Sequence, residues 1–175
     1  AYFKHADKEK ISYRSDLIVD SKSIDFKAGE KIHEMGQCNS CHFYGEEFPT
    51  GDAPTWAPNL ALTKERLNPE WVKEWLYSPS AIMPGTKMPA PYLPDKALLS
   101  TPGASNDWGE ALVALEGDTS RMLNGLRDYL WNIKGSTDID ALIKDYFDKN
   151  GYDFSSSEDD EYDDDEDDWG DDEDW

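Results

Sequence analysis

The sequence predicts an all-α protein in which short helices are separated by long loops. Four stretches repeat apolar residues at the spacing of an amphipathic helix, whereas no region alternates convincingly over several strands. The chain also holds 10 Pro and 12 Gly, which favour loops, and 7 Trp, 9 Tyr and 6 Phe. These observations together favour a small helical domain built around flat, bulky groups rather than around aliphatic runs.

Two of the predicted helices lie in the first half of the chain. The first is predicted over residues 26–37, where one face carries Phe26, Gly29, Ile32 and Met35. The second, over residues 69–77, has Asn68 as its N-cap and Pro69 at its first position, and Pro79 ends it.

The other two predicted helices follow each other near the end of the chain. Gly135 closes the first, over 119–134, and Asn150-Gly151 close the second, over 138–149. The stripe of the first comprises Met122, Leu123, Leu126, Tyr129, Leu130 and Ile133. The stripe of the second comprises Ile139, Leu142, Ile143, Tyr146 and Phe147.

Charge divides the chain into segments. The 17 Lys and Arg stand against 38 Asp and Glu, and 14 of those carboxylates lie in the last 21 residues, so the net charge is −21 with that block and −7 without it. Such a block of like charge does not bury enough apolar surface to fold alone. We therefore predict an N-terminal extension (1–25), a globular body (26–135), an additional helix (136–153) and an acidic tail (154–175).

Charge and hydropathy also exclude classes of partner. Excess acid without a basic cluster repels phosphate backbones and anionic lipid, so no nucleic-acid partner is expected. No run reaches the roughly 18 apolar residues of a membrane span, so no transmembrane segment is predicted. Because the chain opens on Ala1 without a basic and apolar leader, we expect an already processed product.

Both cysteines of the chain lie in one motif, CNSCH, at Cys38, Cys41 and His42. Two thiols at this spacing can add to the two vinyl groups of a haem, and the adjacent imidazole can then bind the iron. A zinc site needs about four ligands, and His5 and His33 do not complete a convincing set. A thioredoxin-like pair needs a βαβ context that is missing, and a plain disulfide leaves His42 unexplained.

With this motif, residues 26–135 resemble the class I cytochromes c, small monohaem electron carriers with His/Met ligation. Helix 26–37 is similar to the family's N-terminal helix, and residues 121–134 resemble the C-terminal helix that crosses it. Residues 57–60 (APNL) resemble the family's Gly-Pro-Asn-Leu loop, with Ala57 as a mild departure. Residues 90–118 form a longer segment than the family has between the methionine that binds the iron and the last helix. We expect this segment to decorate the outside of the body.

The resemblance implies one covalent haem c and a set of residues around it. It implies that the carbonyl of Pro58 accepts a hydrogen bond from His42 Nδ1, which fixes the tautomer of the ligand. Leu60 and Trp56 are expected in the haem pocket, where Trp56 either donates its indole N–H to a propionate or packs on the ring edge. Tyr129, like Trp71 and Trp75, is expected in the pocket wall or the core.

The resemblance also implies a sixth iron ligand, Met88. The family's element Pro-Gly-Thr-Lys-Met-Pro is matched position by position at residues 84–89. Met83, on the same loop, is the alternative ligand. The other two methionines sit on helical stripes and are expected to fill the core: Met35 and Met122.

The expected function is one-electron transfer without catalysis, by a soluble carrier or by a cytochrome subunit of a respiratory complex. The alternative is a haem enzyme or gas sensor with an open or labile sixth position. Covalent haem attachment implies the periplasm or the outer face of the cytoplasmic membrane. The acidic tail is expected to steer the protein onto redox partners with a basic docking surface, with Trp169 and Trp175 as anchors.

Overall fold

A computed structural model describes residues 17–136 and 139–151 of the chain. Within these residues there is no β-strand, only two isolated bridge pairs, which confirms the predicted all-α class. Three short 3₁₀ turns lie at Cys38–Ser40, Ala53–Thr55 and Leu60–Leu62. The α-helices are α1 Ile24–Met35, α2 Thr63–Arg66, α3 Pro69–Tyr77, α4 Pro79–Ile82, α5 Lys96–Leu99, α6 Ala104–Trp108, α7 Glu110–Val113, α8 Thr119–Trp131 and α9 Asp140–Lys149.

The four predicted helices are present, and capping explains where their ends differ from prediction. Helix α1 begins two residues before the predicted start because the Ser23 hydroxyl accepts a hydrogen bond from Phe26 N at 3.1 Å. Helix α3 begins at Pro69, as predicted, with the Asn68 side chain as its cap. Helix α8 ends at Trp131, before the predicted 134.

The core is built where α1 packs against α8, and two glycines let the helices approach closely. A Cβ on Gly29 would lie 2.1 Å from the backbone of Gly125, and a Cβ on Gly125 would lie 1.9 Å from the carbonyl oxygen of Asp25. Either substitution would therefore push the two helices apart. The contact continues at the helix ends, where Arg121 Nη2 lies 2.5 Å from Asp25 Oδ1.

The segment 90–118 contributes to the core rather than decorating the body, which corrects the prediction. It forms α5, α6 and α7, whose residues Leu99 and Leu112 are buried together with Leu115. Short helices of four or five residues carry too little periodicity to be recognised in a sequence.

The described residues divide into two units with the boundary between Ile139 and Asp140. Helix α9 lies in the second unit and has no buried residue. Its last turn carries an ion pair between Lys149 Nζ and Asp145 Oδ2 at 2.6 Å. No helix in the described part of the chain is both long and apolar enough to span a membrane.

Candidate functional site

The CNSCH motif forms a single tight turn that begins just after α1. Gln37 takes a left-handed conformation (φ 47°), and Cys38–Ser40 then form a 3₁₀ turn. The amide of His42 donates to the carbonyl of Cys38 at 3.0 Å, which closes the turn. Cys38 and Cys41 are both free, half-buried thiols. The turn therefore brings two thiols and one imidazole together within five residues.

The segment 50–60 runs beside this turn and is joined to it by backbone hydrogen bonds. These bonds reach the three inner residues of the motif, 39–41, and Phe43, which follows the motif. They fix the path of the turn at these residues. The bonds run from Thr50 N to Asn39 O (2.9 Å), Gly51 N to Ser40 O (2.9 Å), Ala57 N to Cys41 O (2.7 Å) and Leu60 N to Phe43 O (2.9 Å).

Gly51 and Trp56 fix the first part of segment 50–60 in place. A Cβ on Gly51 would lie 2.5 Å from Ser40 O, so the close approach requires glycine. The indole N–H of Trp56 donates to the carbonyl of Gly51 at 3.0 Å, a contact that the sequence did not predict. The Trp56 ring lies 5.1 Å from the Phe43 ring and 5.4 Å from the Phe48 ring. Trp56 thus holds the segment against the motif.

His42 is oriented by the backbone of this segment. Its Nδ1 lies 2.7 Å from the carbonyl oxygen of Pro58, the contact that the family resemblance implies. Because a carbonyl can only accept, the proton is on Nδ1 and the lone pair is on Nε2. Burial lowers the pKa of His42, with the Pro58 contact acting in the opposite sense. The imidazole is therefore held neutral, in the tautomer that a metal ligand requires.

Asn59, the residue after Pro58, joins two parts of the chain through its side chain, a role that its place in the APNL sequence did not predict. Its side chain is only 6% exposed. Its Oδ1 accepts from Gly45 N at 2.9 Å, and its Nδ2 donates to Gly45 O at 3.0 Å and to Ser136 O at 3.2 Å. One amide thereby joins the loop after the motif to the chain beyond α8.

His33, which did not complete a zinc site in the sequence, is held by two tyrosines. Its Nε2 is hydrogen-bonded to the hydroxyl of Tyr44, and its ring lies 4.7 Å from the ring of Tyr129. Burial lowers the pKa of His33 to about 4, and it raises the pKa values of both tyrosines. The charge of Cys38 contributes to both tyrosine shifts, so this cluster lies beside the motif.

Met88 and Met83 differ clearly in their surroundings. Met88 is half-buried and packs against the core, and its Sδ accepts a hydrogen bond from the indole N–H of Trp75 at 2.8 Å. Met83 is 53% exposed. The two core methionines lie as expected: Met122 is fully buried, and Met35 packs against the same core.

The remaining predicted pocket residues lie at the edge of the core. Leu60 and Tyr129 are partly buried against it, and the Tyr129 ring is 5.6 Å from that of Phe26. The predicted partner-docking residues, Trp169 and Trp175, lie outside the described residues.

These side chains suit a covalently bound haem by the chemistry of their donor atoms. Two free thiols can form thioethers, a neutral imidazole presents Nε2, and a core-packed thioether presents sulfur. Residues 17–136 and 139–151 contain no cluster of three or more His, Cys, Asp or Glu that could hold a metal ion, but axial ligation by one imidazole and one thioether would not form such a cluster.

Comparison with known proteins gives one partial similarity. No protein-family model matches the chain, and no solved structure matches it. The chain is similar to cytochrome c oxidase subunit 2 of Bacillus subtilis (strain 168), with 36% identity over 93 residues. The match covers 49% of this chain and 25% of that protein, so the chain spans about a quarter of its relative.

Proposed function

We propose that this protein transfers single electrons through one covalently bound c-type haem, as a member of the class I cytochromes c. Cys38 and Cys41 would form the thioethers, and His42 and Met88 would be the axial ligands. One observation carries the proposal: two free thiols share a turn with an imidazole whose Nδ1–H is bound to Pro58 at 2.7 Å. Nε2 is thereby left as the donor to a metal.

Bound haem would supply an iron that accepts and releases one electron. The residues of the chain determine what else can happen there. His42 and Met88 would both hold the iron, which would leave no position for a substrate, so we propose a carrier rather than an enzyme. A thioether ligand and an apolar setting both favour the ferrous state and raise the reduction potential.

The partial similarity to an oxidase subunit supports a place in respiratory electron transfer. We propose that the partners are redox proteins with a basic docking surface, within or next to a membrane respiratory complex. The acidic tail, with 14 carboxylates in its last 21 residues and with Trp169 and Trp175 among them, would provide the complementary charge. Covalent attachment of haem would favour the periplasm or the outer face of the cytoplasmic membrane as the location of the protein.

The first test is covalent attachment. The protein is produced with a c-type haem maturation system, and its mass is measured after denaturation. We expect a gain of one haem for the natural sequence and for the control Ser40→Ala, but none for the double variant Cys38→Ala/Cys41→Ala. A denatured natural protein without haem would contradict the proposal.

The second test is the sixth ligand. Met88→Ala should lower the reduction potential, abolish the weak near-infrared band of a sulfur–ferric iron bond and open the iron to added imidazole. Met83→Ala is the matched control and should change none of these. The reverse result would move the ligand to Met83, and no effect of either variant would favour a haem enzyme or gas sensor with an open position.

A further inference from the structure

Helix α9 has an apolar face that remains partly open to solvent. None of its 10 residues, Asp140–Lys149, is buried. Its large apolar side chains recur at the spacing of one helix face, and each of them is only half-buried: Leu142, Ile143, Tyr146 and Phe147. The rings of Tyr146 and Phe147 meet edge to face, with centroids 5.4 Å apart. The helix is therefore amphipathic, but it does not bury its apolar face as a core helix does.

Local contacts nevertheless specify where this helix begins and ends. Asp140 lies in its first turn and Lys149 in its last, where each charge suits the helix dipole. The side-chain amide of Asn150 donates to the carbonyl of Tyr146 at 2.7 Å, and Gly151 follows with a φ of 80°. A helix shorter than roughly 12 residues is still marginal in water and ordinarily depends on packing of its apolar face. Helix α9 is thus suited to be covered by another surface.

Charge determines what kind of surface could cover it. Residues 140–175 hold 18 of the 38 carboxylates but only two of the 17 Lys and Arg residues. A second copy of the chain would bring the same excess of acid, and anionic lipid would also repel it. Helices that lie on membranes carry Lys and Arg along their polar side, whereas α9 has three Asp and two Lys. The complementary surface is therefore a basic protein surface.

We propose that α9 is a docking helix that lies in an apolar groove of a redox partner, with Lys and Arg side chains along the rim of the groove. This inference rests on the proposed function, which supplies the class of partner. The pairs Leu142 with Tyr146 and Ile143 with Phe147 are spaced i, i+4, as the anchors of a helix in a groove are. The carboxylates raise the rate of encounter, and the apolar face slows dissociation once the partners have met.

The test measures binding of the haem-loaded full chain to a respiratory oxidase purified in detergent from the source organism. Leu142→Gln/Ile143→Gln removes two anchors without changing the charge and keeps residues that favour a helix. Ala141→Gln/Asp148→Glu is the matched control, since both positions are exposed and the charge is again unchanged. By surface plasmon resonance we expect the first variant to raise the Kd about ten- to hundredfold, and the control less than about twofold.

The kinetic parameters sharpen the test, because the two double variants keep all carboxylates. The loss of affinity in Leu142→Gln/Ile143→Gln should lie in the dissociation rate, and the dependence of the association rate on salt should stay as in the natural protein. Deletion of residues 155–175 should do the opposite, with slower association and a flatter salt dependence. A natural protein that does not bind the oxidase, or equal Kd values for the two double variants, would overturn the docking helix.

Three further measurements identify any other surface that covers the face. Sedimentation velocity would reveal a dimer, and flotation with vesicles of phosphatidylcholine and phosphatidylglycerol would reveal lipid binding. Urea unfolding would show whether residues of the same chain cover the face. Each of these overturns the proposal if Leu142→Gln/Ile143→Gln abolishes the association, or lowers the unfolding midpoint, whereas the control does not.

The inference and the proposed function fail separately. A chain that attaches no haem overturns the proposed function. A haem-loaded chain that binds the oxidase equally well with and without Leu142 and Ile143 overturns only the docking helix.

Discussion

The two loops that carry the proposed axial ligands are held by different kinds of contact. Around His42, backbone hydrogen bonds join segment 50–60 to three residues of the motif and to Phe43, which follows it, and Pro58 orients the imidazole through a main-chain carbonyl. Around Met88, the ligand is oriented by two side chains, the hydroxyl of Thr86 and the indole of Trp75.

This difference separates stability from ligand exchange. Backbone contacts survive most side-chain substitutions, so the position of His42 is a property of the fold and changes only when the loop itself opens. Side-chain contacts are lost one at a time, so Met88 can be loosened while the fold persists. We therefore expect variants that open the loop around His42 to lower the free energy of unfolding, and variants near Met88 to change the exchange of ligands in the haem-loaded protein of the proposed function.

The largest expected effect is that of Asn59→Ala. The variant removes the side chain that joins Gly45 and Ser136, and it leaves their buried polar groups without these partners. We expect the free energy of unfolding to fall by roughly 2 to 4 kcal/mol. Urea unfolding followed by circular dichroism measures this change.

The matched control is Asn39→Ala, an exposed asparagine within the motif whose contribution to the loop is its backbone carbonyl. It should change stability by less than about 0.5 kcal/mol. If both variants lose the same amount of stability, the Asn59 side chain does not hold the loop around His42.

An intermediate effect is expected from Thr86→Val, which keeps the shape of the side chain but removes the acceptor for Met88 N. Because the hydrogen bond is long, at 3.3 Å, and partly exposed, its loss should cost less than about 1 kcal/mol of stability. If haem is bound as proposed, the rate at which imidazole displaces the sulfur should nevertheless rise several-fold, as stopped-flow absorbance would record.

Thr50→Val is the same substitution in segment 50–60, beside His42. There the backbone amide of Thr50, not its side chain, donates to the carbonyl of Asn39. It should leave imidazole binding unchanged. A faster reaction in this control, as large as in Thr86→Val, would erase the proposed contrast between the loops.

The smallest expected effect is a pH dependence from His33. The pKa of His33 is lowered by burial from 6.5 to about 4, so the unfolded chain binds this proton more readily than the folded protein. The stability associated with His33 is therefore complete above pH 6.5 and is lost as the pH falls toward 4. Urea midpoints should decline over that window, and the decline should be shallower in His33→Gln. Parallel curves for the two proteins would assign the acid sensitivity to other groups.

Local signals in the sequence were sufficient where neighbouring residues determine the conformation. Asn68 and Pro69 predict the start of α3 because the cap and the fixed φ of proline act within one turn. The end of α8 differed from prediction. Gly135, the expected stop signal, does have a positive φ, but the helix already ends three residues earlier, at its C-cap Asn132.

Contacts between distant residues were beyond the reach of such signals. The bond from Asn59 to Ser136 spans 77 positions, and nothing near either residue indicates it. The burial of His33 likewise depends on Tyr44 and Tyr129, which approach from other segments. In the same way, the short helices of 90–118 are recognisable only by the core that they complete.

The sequence by itself determined the helical class and the turn with two thiols and an imidazole, which are properties of spacing along the chain. The choice of Met88 as the candidate ligand came from the resemblance of residues 84–89 to the family's element. Only the tertiary structure decided the burial of His33 and the donor to the Met88 sulfur. Each depends on a residue 11 or 13 positions away that another segment brings close, and local sequence spacing does not encode such proximity.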